Sequence, residues 1–182
     1  ELEQTDDVVL AVHGPRAQDA LRAAEAAGAR GAALDRTGLG GAIVLAPAET
    51  DDRVRAAAAS AGATLGDDAA WEILRHERHV PRYGLDFDGA LYPQEASLEN
   101  VAVSFDKGCY LGQEVVFMLQ TRGHVKRKLV PLALEAGDVP AKGTSVTTLD
   151  RDEIGAVTSS AASKRLGGPV AFAMMLPLNR HW

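Results

Sequence analysis

The stretch DDVVLAVHGPRAQDALRAAEAAGA, residues 6–29, decides the fold class. Val8, Leu10 and Val12 alternate as in a strand with one buried face, Gly14 breaks the pattern, and Pro15 suits the first turn of a following helix. Downstream, the glycine-rich LDRTGLGG (34–41) leads into AIVLAPAE (42–49), an apolar run expected as a buried strand. TDDRVRAAAASAG (50–62) then reads as a helix closed by Gly62, so a second β-α unit follows the first. In GDDAAWEILRHERHV (66–80), Asp67 or Asp68 can cap a third helix. Its inward stripe is expected to hold Trp71, Ile73 or Leu74 and Val80, with Pro81 as the stop.

From Pro81 to Asp106 turn-forming residues predominate, and KGCYLGQEVV (107–116) suggests a turn leading into a short helix. Beyond Thr121 the texture changes. KRKLVPLALEAG, GTSVTTLD, EIGAVTSSA and GPVAFAMM are short β-prone runs spaced by Gly, Pro and Asp, the pattern of a small antiparallel barrel. The expected class is α+β: an α/β domain over residues 1–122 followed by a β-barrel domain over residues 123–182.

The chain has 182 residues, 46% of them hydrophobic, which is enough for an ordinary core. With 25 acidic and 19 basic residues the formal charge is −6, which disfavours a general nucleic-acid or anionic-membrane binder. A single cysteine fits a reducing compartment, and the expected location is cytoplasmic. No run approaches the roughly 20 apolar residues of a membrane span, and ELEQTDDVVL lacks the basic-then-apolar order of a signal peptide. It also lacks an initiator Met, so the chain is expected to be part of a longer protein.

Four stretches are candidates for chemistry. Cys109 follows Lys107 by two residues and is flanked by Gly108 and Gly112. A nearby ammonium favours thiolate, while the alternative is a buried cysteine acting as a small hydrophobe. HERH (76–79) spaces two histidines three apart and falls short of the HExxH metalloprotease pattern, and one cysteine cannot build a cysteine-rich metal site. Gly38, Gly40 and Gly41 superficially resemble a phosphate loop, but they lead into a strand and no GK[ST] follows, so a turn is expected. TRGHVKRK (121–128) carries Arg122, Lys126, Arg127 and Lys128, cations able to hold an acidic ligand or tRNA backbone, or else to form a solvated edge.

All eight positions of KGCYLGQE resemble the K-G-C-[YF]-x-G-Q-E motif of the YgfZ folate-binding family, which includes the mitochondrial iron–sulfur assembly factor IBA and is related to the glycine cleavage T-protein. The resemblance runs through LRHERHVPRYGLDFDGALYPQEASLENVAVSFDKGCYLGQEVV (74–116) and into IGAVTSSAASKRLGGPVAFAMM (154–175), which is similar to the T-protein C-terminal domain. GPRAQDAL and RTGLGGAIVLAPAE resemble the family's middle region.

This resemblance implies a tetrahydrofolate-binding protein that supports assembly or repair of iron–sulfur enzymes. Cys109 would be the functional thiol, with Lys107 beside it. Folate would be held by Arg75, Tyr83, Glu95, Tyr110, Gln113 and Glu114, and iron–sulfur client proteins are the implied partners. The alternative is a folate-dependent aminomethyltransferase or demethylase of T-protein type. Aminomethyltransferases resemble TGEDGFEI where this chain reads TGLGGAIV, so their two glutamates fall on Leu39 and Ile43, neither of which can accept a hydrogen bond or a proton. His79 stands where the family often has glycine.

Overall fold

The computed structural model describes residues 5–121, 123–135, 137–150 and 152–176. The chain divides into two compact units, Glu1–Trp71 and Glu72–Trp182.

In the first unit β1 (Val8–His13) leads to helix α1 (Ala17–Ala26), and Pro15 sits just before the helix, ahead of its N-cap Arg16. A short strand β2 (Arg30–Ala33) and then β3 (Gly41–Ala46) follow. The sheet order is β1-β3-β2, with β3 antiparallel to both neighbours. β1 and β2 therefore run parallel, with α1 as their crossover and β3 inserted between them, a split β-α-β arrangement. After a single 3₁₀ turn (Ala48–Thr50) comes helix α2 (Asp51–Ser60). The core is built from small residues, Ala17, Leu21 and Ala24 of α1 meeting Ala42, Val44 and Ala46 of β3, with Val54 of α2 sealed beneath them. The glycine-rich stretch expected as a turn is the β2–β3 connection. There the Asp35 carboxylate accepts hydrogen bonds from the backbone N–H groups of Thr37, Gly38 and Gly40.

Helix α3 (Asp68–Glu77) starts where expected, with Asp67 Oδ1 accepting the Ala70 N–H at 2.8 Å as the cap. Its inward face is not the apolar stripe the sequence suggests. Ile73 is exposed, and the two fully buried residues of α3 are Arg75 and His76. The reason lies in what they meet, a cluster of polar side chains that satisfies them.

The three helices α1, α2 and α3 end alike. In each, an N–H one residue past a left-handed position donates to the carbonyl five residues back: Ala29 to Ala24, Ala63 to Ala58, and Val80 to Arg75. The left-handed residue is Gly28 in α1 and Gly62 in α2, but His79 in α3, with φ of 57°. A side chain there is strained, and the residue type that adopts this conformation freely is glycine.

In the second unit a long loop runs from Pro81 to helix α4 (Gln113–Thr121), and then come β4 (Lys128–Ala133), β5 (Ser145–Thr147), β6 (Glu153–Ser163) and β7 (Gly168–Met175). The four strands form one antiparallel sheet in the order β4-β7-β6-β5. Pro131, which has no N–H to give, lies on the edge strand β4. The architecture is mixed α/β, as expected. Closure into a barrel is not seen among the described residues, where these strands make an open sheet. Arg122 and the segment from residue 177 onward lie outside the described residues.

Candidate functional site

The motif stretch forms an exposed bend leading into α4. Gly112 has φ of 84°, a left-handed conformation that a side chain resists, and it turns the chain so that the Gln113 N–H donates to the Tyr110 carbonyl at 3.2 Å. Cys109 stands on this bend as a free, exposed thiol. The reading of Cys109 as a sealed apolar residue is therefore set aside. The Lys107 ammonium lies 4.5 Å from the centre of the Tyr110 ring, a cation–π contact that ties two motif side chains together. Gln113 is half-buried, and Glu114 is exposed in the first turn of α4.

The loop before the motif is fastened to α4 and to the sheet. Gln94 Nε2 donates to the Val116 carbonyl at 2.8 Å, and the Leu129 N–H of β4 donates to the Glu95 carbonyl at 2.7 Å. Glu95 itself is buried, and its Oε2 accepts the Tyr92 N–H at 3.1 Å while its Oε1 faces Arg127 at 3.6 Å. Expected as a ligand contact, Glu95 is turned onto its own turn, because a buried carboxylate needs local donors. Tyr83 is 69% exposed, with its ring edge-on to Phe87 at 5.5 Å between centres.

Arg75 lies inside the fold. Its side chain is 0% exposed, and its guanidinium donates to Glu72 at 2.7 Å, to Asp86 at 2.7 Å and to Ser159 at 3.0 Å, with Phe172 stacked 5.8 Å away. The donors expected to meet ligand carboxylates meet protein carboxylates instead. Asp86 is equally committed, accepting from Arg75, the Arg82 N–H, Thr158 and Ser159. Two consecutive strand residues, Thr158 and Ser159, reach one carboxylate because the β6–β7 register shifts between Val157 and Ser159. Such a bulge re-aims side chains that would otherwise alternate. His76 Nδ1 donates to the Glu72 carbonyl at 2.6 Å and Nε2 lies 2.9 Å from Ser159 Oγ. Burial, reinforced by the Arg75 charge, holds the His76 ring below its ordinary value. For Glu72 burial works upward, but the bonds and charge of Arg75, with Arg82 beside it, bring the carboxyl below its usual range. Sequence reasoning missed this cluster, since Asp86 and Ser159 stand 11 and 84 positions from Arg75 with no local pattern joining them.

The basic stretch is partly neutralised. Lys128 pairs with Glu99 at 2.9 Å, Arg127 approaches Glu95, and Lys126 is exposed. Among the described residues no group of three or more His, Cys, Asp or Glu side chains could hold a metal ion, and no helix is long and apolar enough to cross a membrane.

Residues 127–178 match the glycine cleavage T-protein C-terminal barrel domain. The chain is 32% identical over 176 residues to an aminomethyltransferase of Herpetosiphon aurantiacus, covering 96% of this chain and 46% of that protein. It is 36% identical over 83 residues to the mouse mitochondrial iron–sulfur cluster assembly factor IBA57, covering 44% of this chain and 23% of that one. It is 38% identical over 85 residues to the tRNA-modifying protein YgfZ of Serratia proteamaculans, covering 46% and 26%. The chain is similar to the YgfZ and T-protein-like family. Its fold matches the crystal structure of the glycine cleavage aminomethyltransferase T from Bartonella henselae with a TM-score of 0.70 at 22% identity, covering 94% of this chain and 52% of that one. The chain spans about half the length of the aminomethyltransferases it matches.

Proposed function

We propose that this chain is the thiol-bearing part of a YgfZ-type, tetrahydrofolate-binding protein that supports assembly or repair of iron–sulfur enzymes, with Cys109 as the functional thiol. The observation that carries the reading is the exposure of Cys109 on a bend that Gly112 shapes, with Lys107 and Tyr110 paired beside it. A thiol so placed is open to a client's iron or disulfide, and its thiolate is the form that would react with either. The name of the mouse relative, an iron–sulfur cluster assembly factor, supports the same direction, and the Serratia relative, named a tRNA-modifying protein, supports the YgfZ type alone.

For folate, the proposed contacts are Tyr83, Tyr110, Gln113 and Glu114. Arg75 and Glu95 support these loops from within and are left out of the ligand set. The proposed division at residues 122 and 123 separates this folate-binding part from the C-terminal domain, and the proposed location is cytoplasmic.

The aminomethyltransferase reading is favoured by the similarity to the Herpetosiphon enzyme and opposed by Leu39 and Ile43, apolar side chains where that reading needs carboxylates. Calorimetry of the full-length protein with tetrahydrofolate tests folate binding, and Tyr83→Ala is expected to weaken it. No heat on titration would overturn the folate assignment. Turnover of a methylamine donor with tetrahydrofolate would replace the assembly role with the transferase one.

A further inference from the structure

A cleft of about 450 Å³ in the second unit is lined by Leu85, Phe87, Asp88 and Leu91 from the loop and by Arg127, Lys142, Thr158 and Met174 from the sheet side. The volume suits a small ligand. Its floor follows the strand order. Arg127 immediately precedes β4, Met174 lies on β7, Thr158 lies on β6, and Lys142 belongs to the turn before β5. That turn is pinned beside β6, since the Gly143 N–H donates to the Val157 carbonyl at 2.8 Å and the Val157 N–H donates to the Thr144 carbonyl at 2.9 Å. The two cations therefore flank the cleft from opposite edges of the sheet, three strand spacings apart across it and offset along the strands, since Arg127 lies beyond the Lys128–Met175 pair and Lys142 lies on the far side of the Val157–Ala173 pair. An apolar floor of Met174 lies between them.

The opposite wall is fixed in place. Asp86 locks the loop to α3 through Arg75 and to β6 through Thr158 and Ser159. The Gly84 N–H donates to the Phe87 carbonyl at 2.8 Å, which sets the Phe87 ring at the cleft. Of the lining carboxylates, Asp86 carries four hydrogen bonds, one of them from the Arg75 guanidinium, while Asp88 is exposed and its Oδ1 accepts the Ala90 N–H at 2.9 Å. Among the described residues Lys142 makes no ion pair, and Arg127 has only the 3.6 Å approach to Glu95.

We propose that this cleft binds an elongated organic dianion, an apolar body bearing an anionic group at each end, with Arg127 holding one end and Lys142 the other. The inference goes beyond the proposed function and does not depend on it. The test is a titration of the protein with linear dicarboxylates of increasing length, succinate, suberate and sebacate, against octanoate as the single-ended control. Binding is read by calorimetry and by backbone amide shifts at Thr158 and Met174. Suberate or sebacate is expected to bind at least tenfold more tightly than succinate or octanoate, and either Lys142→Ala or Arg127→Ala is expected to reduce it to the octanoate level. Absence of binding, equal binding along the series, or binding that survives both substitutions would overturn the proposal.

Discussion

At position 79 a histidine holds a backbone conformation that glycine adopts without strain. His79→Gly is expected to stabilise the second unit by about 0.5–1 kcal/mol, because the relief of left-handed strain outweighs the added freedom of the unfolded chain. The check is a higher urea midpoint at unchanged slope. Cys109, the one thiol of the chain, is expected to react fully with Ellman's reagent in the native state, and Cys109→Ser is expected to leave the melting temperature unchanged. At this scale the sequence was legible in part. Spacing alone could not separate an exposed Cys109 from a sealed one, since a glycine-flanked bend has no periodicity to place a side chain. The surroundings of Arg75 are illegible in the sequence for a related reason, because an arginine that faces a ligand and one that bridges protein carboxylates look alike until Asp86 and Ser159 arrive in space.

At the scale of elements, α3 is held by charge where an apolar stripe was expected. Arg75→Ala would strand Glu72 and Asp86 without their shared partner, and its expected cost is about 3–5 kcal/mol by chemical denaturation. Arg75→Lys should recover little of that loss, since a single ammonium cannot span Glu72, Asp86 and Ser159 in the fork geometry of a guanidinium. A wild-type midpoint in either variant would contradict the hub role. Helices α2 and α3 were readable, because Gly62 and Asp67 carry their stop and start chemistry in the residue type. β2 was not readable. Its RGAA has no apolar alternation and all four residues are exposed, so it exists only because β3 offers it hydrogen bonds. The β6 bulge was equally invisible, since nothing in AVTSSA marks which residue falls out of register.

For the whole molecule, the shifted groups act in one direction. Burial keeps His76 neutral in the fold below its ordinary value of 6.5, and burial together with Arg36 does the same for His13. Between that value and the lowered one the unfolded chain binds protons the fold does not, so stability falls as pH drops below about 6.5. Glu72 and Glu77 are held below their ordinary 4.5 despite burial, the latter by Ser163 and Arg165, so their contribution is present above 4.5 and lost as pH falls through their lowered values. The melting temperature is therefore expected to fall in two stages on acidification, with His76→Gln flattening the first. A melting temperature that rises between pH 7 and pH 5.5 would contradict this assignment.

The role proposed for the molecule converges on one sulfur atom. Its most direct test is the activity of an iron–sulfur enzyme in cells lacking the full-length protein, restored with either the native gene or its Cys109→Ala variant at equal abundance. The native gene is predicted to restore activity and the variant to fail while remaining folded. Full restoration by the variant would contradict the thiol's role.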